Sequence, residues 1–433
     1  MASNQGTLFW IAFPGNLEPG AALYILAEFT TDFTVAVPGQ NFSVTGTAGP
    51  GAPGIVQLPE AVAAVQTNET VEAKGIRVTA SRPVTVILRS PLSPGQSDEA
   101  YLALPVALLG TDYYVTLGYE ESVSARGFPG NTEPSQLTIV AAESGTNVTV
   151  IPSCLSLSGS DPGVPVNITL NAGEVWQYRC GFRGDVTGTR VTSSRPIAVF
   201  GGSRCSDVPP GVGFCDYLVE QLIPVRMWGT VHLVPPIQNG AANLVRVLAA
   251  EDNTWVYFDN GTGTTAVELN AGEFSEGFYD VPLMITSSRP VLVGQYGVGA
   301  AQNPFNPERD PFFVQVFSTR LFTPEHRFYS PPGYENFVNI VAPIDAEVVL
   351  DGSPVTGFTP MPGGSYKWAT SQVSTGEHVM TGTEPIMGYA YGLRTDAAYG
   401  YPTGLAFSPL DPADIWLISA VLLSIVILAV VSA

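Results

Sequence analysis

Apolar and polar positions along the 433-residue chain change places over short runs bounded by glycine, proline and hydroxyl residues, the pattern of β-strands and turns. Residues 8–13, 24–29 and 33–37 read as strands, the last closed by Pro38-Gly39, and the glycine- and proline-rich stretch 46–54 reads as a loop. One run is written several times: VTASRPV at 78–84, VTSSRPI at 191–197, ITSSRPV at 285–291, and a degraded VMTGTEPI at 379–386. In each, a β-branched run stops at small hydroxyl residues. A proline, which has no N–H for a ladder, then precedes the next run, so the pattern predicts two strands around a sharp corner.

A second landmark precedes each corner: Gly6-Thr7-Leu8-Phe9, Gly110-Thr111-Asp112-Tyr113, Gly229-Thr230-Val231-His232 and the weaker Thr323-Pro324-Glu325-His326. The phrase LNAGE stands ahead of two corners, at 170–174 and 269–273. The chain is therefore expected to be a fourfold internal repeat, with units at 5–108, 109–226, 227–320 and 321–408. The expected fold class is all-β, a tandem repeat of four β-sandwich-like units, with a propeller-like ring of β units as the alternative. From 415 to 433 there are 19 uncharged residues, which predict a C-terminal transmembrane helix; a processed lipid-anchor signal is the alternative.

Composition agrees with many turns and ample cores: Gly 45, Pro 37, 45% hydrophobic and 13% charged. A net charge of −20 argues against nucleic acid as a partner, and two lysines, Lys74 and Lys367, argue against a polybasic lipid-binding patch. Cys154, Cys180, Cys205 and Cys215 all fall in the second unit, none in a C-x-x-C spacing. Short loops make Cys205–Cys215 and Cys154–Cys180 the simplest of the three connectivities. Sequons at Asn41, Asn68, Asn147, Asn167 and Asn260 join them in pointing to an oxidising, extracellular compartment. Residues 1–20 show neither a basic n-region nor an apolar h-region, so export is expected to use a leader missing from this sequence, with another export route as the alternative. The expected location is the cell surface, with the N-terminal ectodomain outside and one membrane pass.

Catalytic chemistry is hard to assemble from these residues. His232 and His326 occupy the slot that holds Tyr113 in the second unit and read as strand residues, while His378 has no partner motif. Arg82, Arg195 and Arg289 recur at the corners, where tying down a loop carboxylate is the simpler role than a periodic anion site. The acid pairs Asp98-Glu99, Glu120-Glu121 and Glu251-Asp252 have the chemistry for calcium or for acid–base work, but adjacent loop acids ordinarily stand in solvent. No catalytic, cofactor or metal residues are assigned.

The segments 6–16 (GTLFWIAFPGN), 101–115 (YLALPVALLGTDYYV) and 197–228, with Cys205, Cys215-Asp216, Glu220-Gln221 and Trp228-Gly229, resemble the N-terminal domain of the IgG Fc-binding protein family, known from mucus. The likeness covers most of residues 5 to about 300 and weakens afterwards. The resemblance implies an extracellular, non-enzymatic binding or adhesion domain, and it supplies no binding residues. Its expected partner is an extracellular protein or glycoconjugate, immunoglobulin included where the source makes it. The loops 41–54, 121–134 and 203–213 are the expected recognition surface, with Phe42, Phe128 and Phe214 as aromatic anchors. A structural spacer without a ligand and, less favoured, a glycan-acting enzyme are the alternatives.

Overall fold

The computed structural model describes residues 2–16, 20–90, 97–116, 135–181, 184–210, 215–238, 242–299, 310–395 and 397–408. Among them the regular secondary structure is almost all β-strand, arranged in four large sheets of one plan. Each sheet is built on a long strand: Ile76–Ser90, Arg190–Ser206, Leu283–Gly297 and Gly376–Arg394. The expected pair of strands around a corner is thus one bent strand that changes partners at its bend. In the first sheet its N-terminal end pairs with Gly6–Ile11 and Thr31–Val37, and its C-terminal end pairs with Ala21–Leu26 and Glu99–Leu102. Strands Phe42–Ala48 and Gly54–Leu58 extend the two halves, giving two layers that share the bent strand, the arrangement of an orthogonal β-sandwich corner.

The corner sequence explains why the strand survives its bend. A side-chain hydroxyl takes a backbone donor from the neighbouring strand: Ser81 accepts the Asp32 N–H at 3.1 Å, Ser194 that of Asn147 at 3.0 Å, Ser288 that of Trp255 at 2.9 Å, and Thr383 that of Glu347 at 3.0 Å. Pro83, Pro196, Pro290 and Pro385 follow two residues later at exposed or half-buried positions. Corner arginines pair with carboxylates as expected, Arg195 with Glu143 at 2.9 Å and Arg289 with Glu251 at 2.5 Å, while Arg82 lies over the Phe29 ring. Beneath the corner, Tyr113 donates its hydroxyl to the Ile197 carbonyl at 2.7 Å, and His326 places a ring nitrogen 3.0 Å from the Ile386 carbonyl. The repeated slot therefore braces the residue after the proline.

Two expected loops are partly strand: residues 203–206 of the stretch 203–213 end the bent strand Arg190–Ser206, with 211–213 outside the described residues, and the other lies in the first sheet. Phe42–Ala48 pairs with Thr31–Val37 along its length, inside the stretch 41–54. Its Gly46 is a packing position: a Cβ there would lie 2.5 Å from the Phe33 ring, which also covers Gly54 at 2.3 Å.

Neighbouring sheets dock through the LNAGE turns. Glu174 accepts the Asn171 N–H at 2.7 Å and Glu273 that of Asn270 at 2.8 Å, closing each turn over a glycine with positive φ, +79° at Gly173 and +83° at Gly272. Gly75 of the first sheet donates to the Gly173 carbonyl at 2.9 Å, and Gly188 of the second packs on Gly272 so closely that a Cβ would fall 2.4 Å from its carbonyl oxygen. Met284 lies against Gly363 at the third junction, and at the fourth Glu377 accepts the Gly51 N–H at 3.0 Å. The last junction joins the fourth sheet to the first. There Ala2–Ser3 also pairs with Ala406–Phe407, and Asn4 exchanges hydrogen bonds with Leu405.

The strands that lead out of the sheets, Glu99–Leu102, Asp216–Gln221, Phe312–Val316 and Ala397–Pro402, pack on one another in that cyclic order. They form the centre of the molecule.

Candidate functional site

The polar chemistry of the protein gathers where these four inner strands begin. Asp98 and Glu99 open the first and Asp216 the second, and all three are fully buried, so the expectation that Asp98-Glu99 is a solvated loop pair is overturned. Glu99 reaches across the centre, accepting N–H bonds from Phe313 at 2.9 Å, Gly400 at 2.8 Å and its own neighbour Ala100 at 3.1 Å. Asp216 accepts the Asp98 N–H at 2.7 Å, the Tyr217 N–H at 2.7 Å and the Ala398 N–H at 3.3 Å. Two carboxylates thus tie inner strands from all four sheets, using side chains where a continuous ladder would use backbone. Gln221 and Gln315 extend the pattern, accepting the Leu104 N–H at 2.9 Å and the Ile223 N–H at 3.4 Å.

Burial dominates the electrostatics here. The Asp98 carboxyl contacts Arg89 and the Tyr334 hydroxyl, yet loss of water still pushes it up to about 6. Burial lowers the Arg89 value, but Asp98 and Tyr334 beside it raise it overall, so the guanidinium stays charged. Burial also lifts Glu99 and Asp216 well above the carboxylate range, Asp216 further through Asp310, Asp98 and Glu99. Glu220, on the same inner strand as Asp216, is lifted by burial too. The Gln315 and Gln221 backbone groups beside it lower it in part, but neither carboxylate oxygen has a well-formed hydrogen bond among the described residues. Glu99 and Asp216 hold strands together through their hydrogen bonds, and Glu220 does not. No set of three or more His, Cys, Asp or Glu side chains is placed to hold a metal ion among the described residues.

Other candidates lie apart from this centre. Phe42 is half-buried at the start of an outer strand and packs on the core, while Phe128 and Phe214 fall outside the described residues, as do Glu120-Glu121 and all of loop 121–134. Cys154 bonds Cys180 and Cys205 bonds Cys215, with Cα–Cα distances of 5.7 Å and 5.0 Å. Asn41, Asn147, Asn167 and Asn260 are exposed. Asn68 is half-buried, its amide donating to Ser158 at 2.7 Å and its carbonyl accepting the Arg179 N–H at 2.7 Å. His232 and His326 are buried, and burial pushes them down to about 3 and about 4, leaving neutral rings at physiological pH. His378 bonds Asp351 at 2.7 Å and packs on Phe328. Glu251 holds Arg289, and Asp252 accepts the Ala271 N–H at 3.0 Å.

The central carboxylates were missed although the sequence carries a signal for them. Asp98, Asp216 and Asp310 recur just ahead of, or at, the first residue of three lead-out strands. That period is visible once those strands are aligned.

A β frame whose inner strands are joined by the buried Glu99 and Asp216, and which carries two disulfides, defines an all-β scaffold. The chain belongs to the IgGFc binding protein family, whose model matches residues 99–392, reaching into the fourth sheet beyond the point near 300 where the likeness was expected to weaken. It is similar to the human IgGFc-binding protein, with 26% identity over 334 residues, 73% of this chain. That relative is far longer, and the matched part spans 6% of its length. Among solved structures, a Ca2+-stabilized adhesin that helps an Antarctic bacterium bind ice aligns at 11% identity over 93% of this chain and 99% of its own, with a TM-score of 0.12. An anti-sigma factor domain-containing protein from Clostridium clariflavum aligns at 11% identity over 90% of this chain and 100% of its own, with a TM-score of 0.13. At those scores neither bears on fold or function.

Proposed function

We propose that the chain is an extracellular recognition ectodomain that binds a protein or glycoconjugate and does not turn over a substrate. Family membership over residues 99–392 carries this reading, since the family is named for binding. The two disulfides support an oxidising compartment. We read the four sheets as four sandwich-like units, bounded near 108, 226 and 320, closed into a ring by the contacts of Ala2–Ser3 and Glu377. A closed ring suits a recognition module better than an extended spacer. Its connecting segments, rather than the strand faces committed to the core, are the variable surface available to a partner.

Membrane attachment through 415–433 is part of the proposal; that segment lies outside the described residues, and no helix among the described residues is long and apolar enough to cross a membrane. The test is to place the full chain in liposomes at high density and measure retention of soluble glycoproteins, immunoglobulin Fc among them. Saturable retention of at least one, without change in its mass or glycans, is expected. Binding of none, or steady hydrolysis of a glycan, overturns the reading.

A further inference from the structure

The register of the first sheet sets six polar side chains in two rungs on its outer face. Thr45, Thr34 and Thr79 lie side by side in one rung, and Thr47, Asp32 and Ser81 in the next. All six line an open cavity of about 440 Å³. That volume lies in the range of small-molecule sites, roughly 300–1,000 Å³. We propose that this cavity is a binding site for a neutral saccharide, with Asp32 as its central acceptor and the threonine and serine hydroxyls around it as further polar partners.

The chemistry follows from what each group can do. A hydroxyl donates one hydrogen bond and accepts others; Thr47 gives its hydrogen to Asp32 and Ser81 accepts the Asp32 N–H, while Thr34, Thr45 and Thr79 match a ligand whose own groups both donate and accept. Adjacent sugar hydroxyls satisfy that condition, and a carboxylate takes two donors at once through its two oxygens. Thr47 donates to Asp32 Oδ1 at 3.1 Å and so orients the carboxylate, while Oδ2 carries no bond to a described residue. The threonine methyls add small apolar contacts for the C–H faces of a sugar ring. Asp32 and the net charge of −20 repel anionic ligands.

The same rungs in the other sheets show what is particular to the first. In the second, neutral Asn147 stands in the place of Asp32 and Asn167 in that of Thr45, and both cross-strand pairs are closed, Thr169 on Asn147 at 2.9 Å and Thr149 on Asn167 at 2.7 Å; both asparagines are sequon positions. In the third, Trp255 and Tyr257 fill the places of Asp32 and Thr34; in the fourth, Glu347 and Val349 do. The site lies on a sheet face, and it stands whether or not the connecting segments bind a protein partner.

The experiment titrates the full chain in detergent micelles with lactose, N-acetyllactosamine, maltotriose and mannotriose by saturation-transfer NMR, with n-propylammonium and sialic acid as charged comparators. At least one neutral saccharide is expected to saturate. Asp32→Asn, which keeps an acceptor for Thr47, and Thr34→Val, which keeps the shape, should each weaken it tenfold or more with unchanged melting curves. Thr286→Val, at the corresponding rung of the third sheet, should leave it unchanged. Saturation by none of the four, affinities within twofold of wild type in both variants, or displacement of the saccharide by n-propylammonium or sialic acid overturns the assignment.

Discussion

Glu220 shows the cost of the central chemistry most directly. It is buried with neither carboxylate oxygen well bonded among the described residues, and burial raises its proton affinity, as it does for Asp98, Glu99 and Asp216. A carboxyl whose pKa is higher folded than unfolded makes the folded state bind more protons. Its stabilising protonated form is fully present below the unfolded value, near 4, and is lost as pH rises through the folded value, about 6 for Asp98. These four carboxyls are therefore expected to lower folding stability between about pH 4 and pH 7, partly offset by His232 and His326, whose depressed values favour the folded state as pH rises towards about 6.5. Glu220→Gln keeps the shape and removes the charge, and should raise stability at pH 8 by about 1–3 kcal/mol while changing little at pH 4. Denaturant melts at the two pH values check it; equal effects at both would mean that Glu220 carries no buried charge. Reading the sequence alone placed Asp98 and Glu99 in solvent because two adjacent acids after a proline-rich segment look like loop residues. Only the closure of four inner strands around them, a contact between residues about 100 to 300 positions apart, removes the water.

Corners and turns were legible because their chemistry is local. A hydroxyl residue two positions before a proline can replace a ladder acceptor without help from distant chain, and all four sheets use it that way. Ser288→Ala is expected to cost about 1 kcal/mol, the net value of one hydrogen bond, with a matching loss of amide protection at Trp255. A calorimetric change near zero with Trp255 still protected would show that the proline and its neighbours hold the bend alone. The strand Phe42–Ala48 was not legible for the opposite reason. Its glycine mimics a turn signal, and its cause is the Phe33 ring on a paired strand. Glycine spacing reports a bend or a close approach equally well, and only the partner strand decides between them.

At the scale of the whole molecule, sequence reading left a row of sandwiches and a ring as alternatives, because the closing contacts join the two ends of the described chain. Asn4 donates to the Leu405 carbonyl at 3.1 Å through its backbone, accepts the Leu405 N–H at 2.9 Å through its side chain, and donates to Thr85 at 3.2 Å. One side chain thus joins the N-terminal segment, the first bent strand and the C-terminal strand pair. Asn4→Ala leaves the Leu405 N–H and the Thr85 hydroxyl without this partner in a buried place, and should cost about 1–3 kcal/mol. If the ring is a closed mechanical unit, the effect will not stay at the seam. Glu377, which accepts the Gly51 N–H across the same junction, and the inner strands Glu99–Leu102 and Ala397–Pro402 depend on the first and fourth sheets remaining in register. Hydrogen exchange in the variant should therefore speed up at Ala100, Gly400 and Leu405 together, while the amides of Val245 and Val247 in the third sheet keep their protection. Faster exchange confined to Leu405 would mean that the seam is a local latch, and that the other junctions and the central carboxylates hold the four sheets without it.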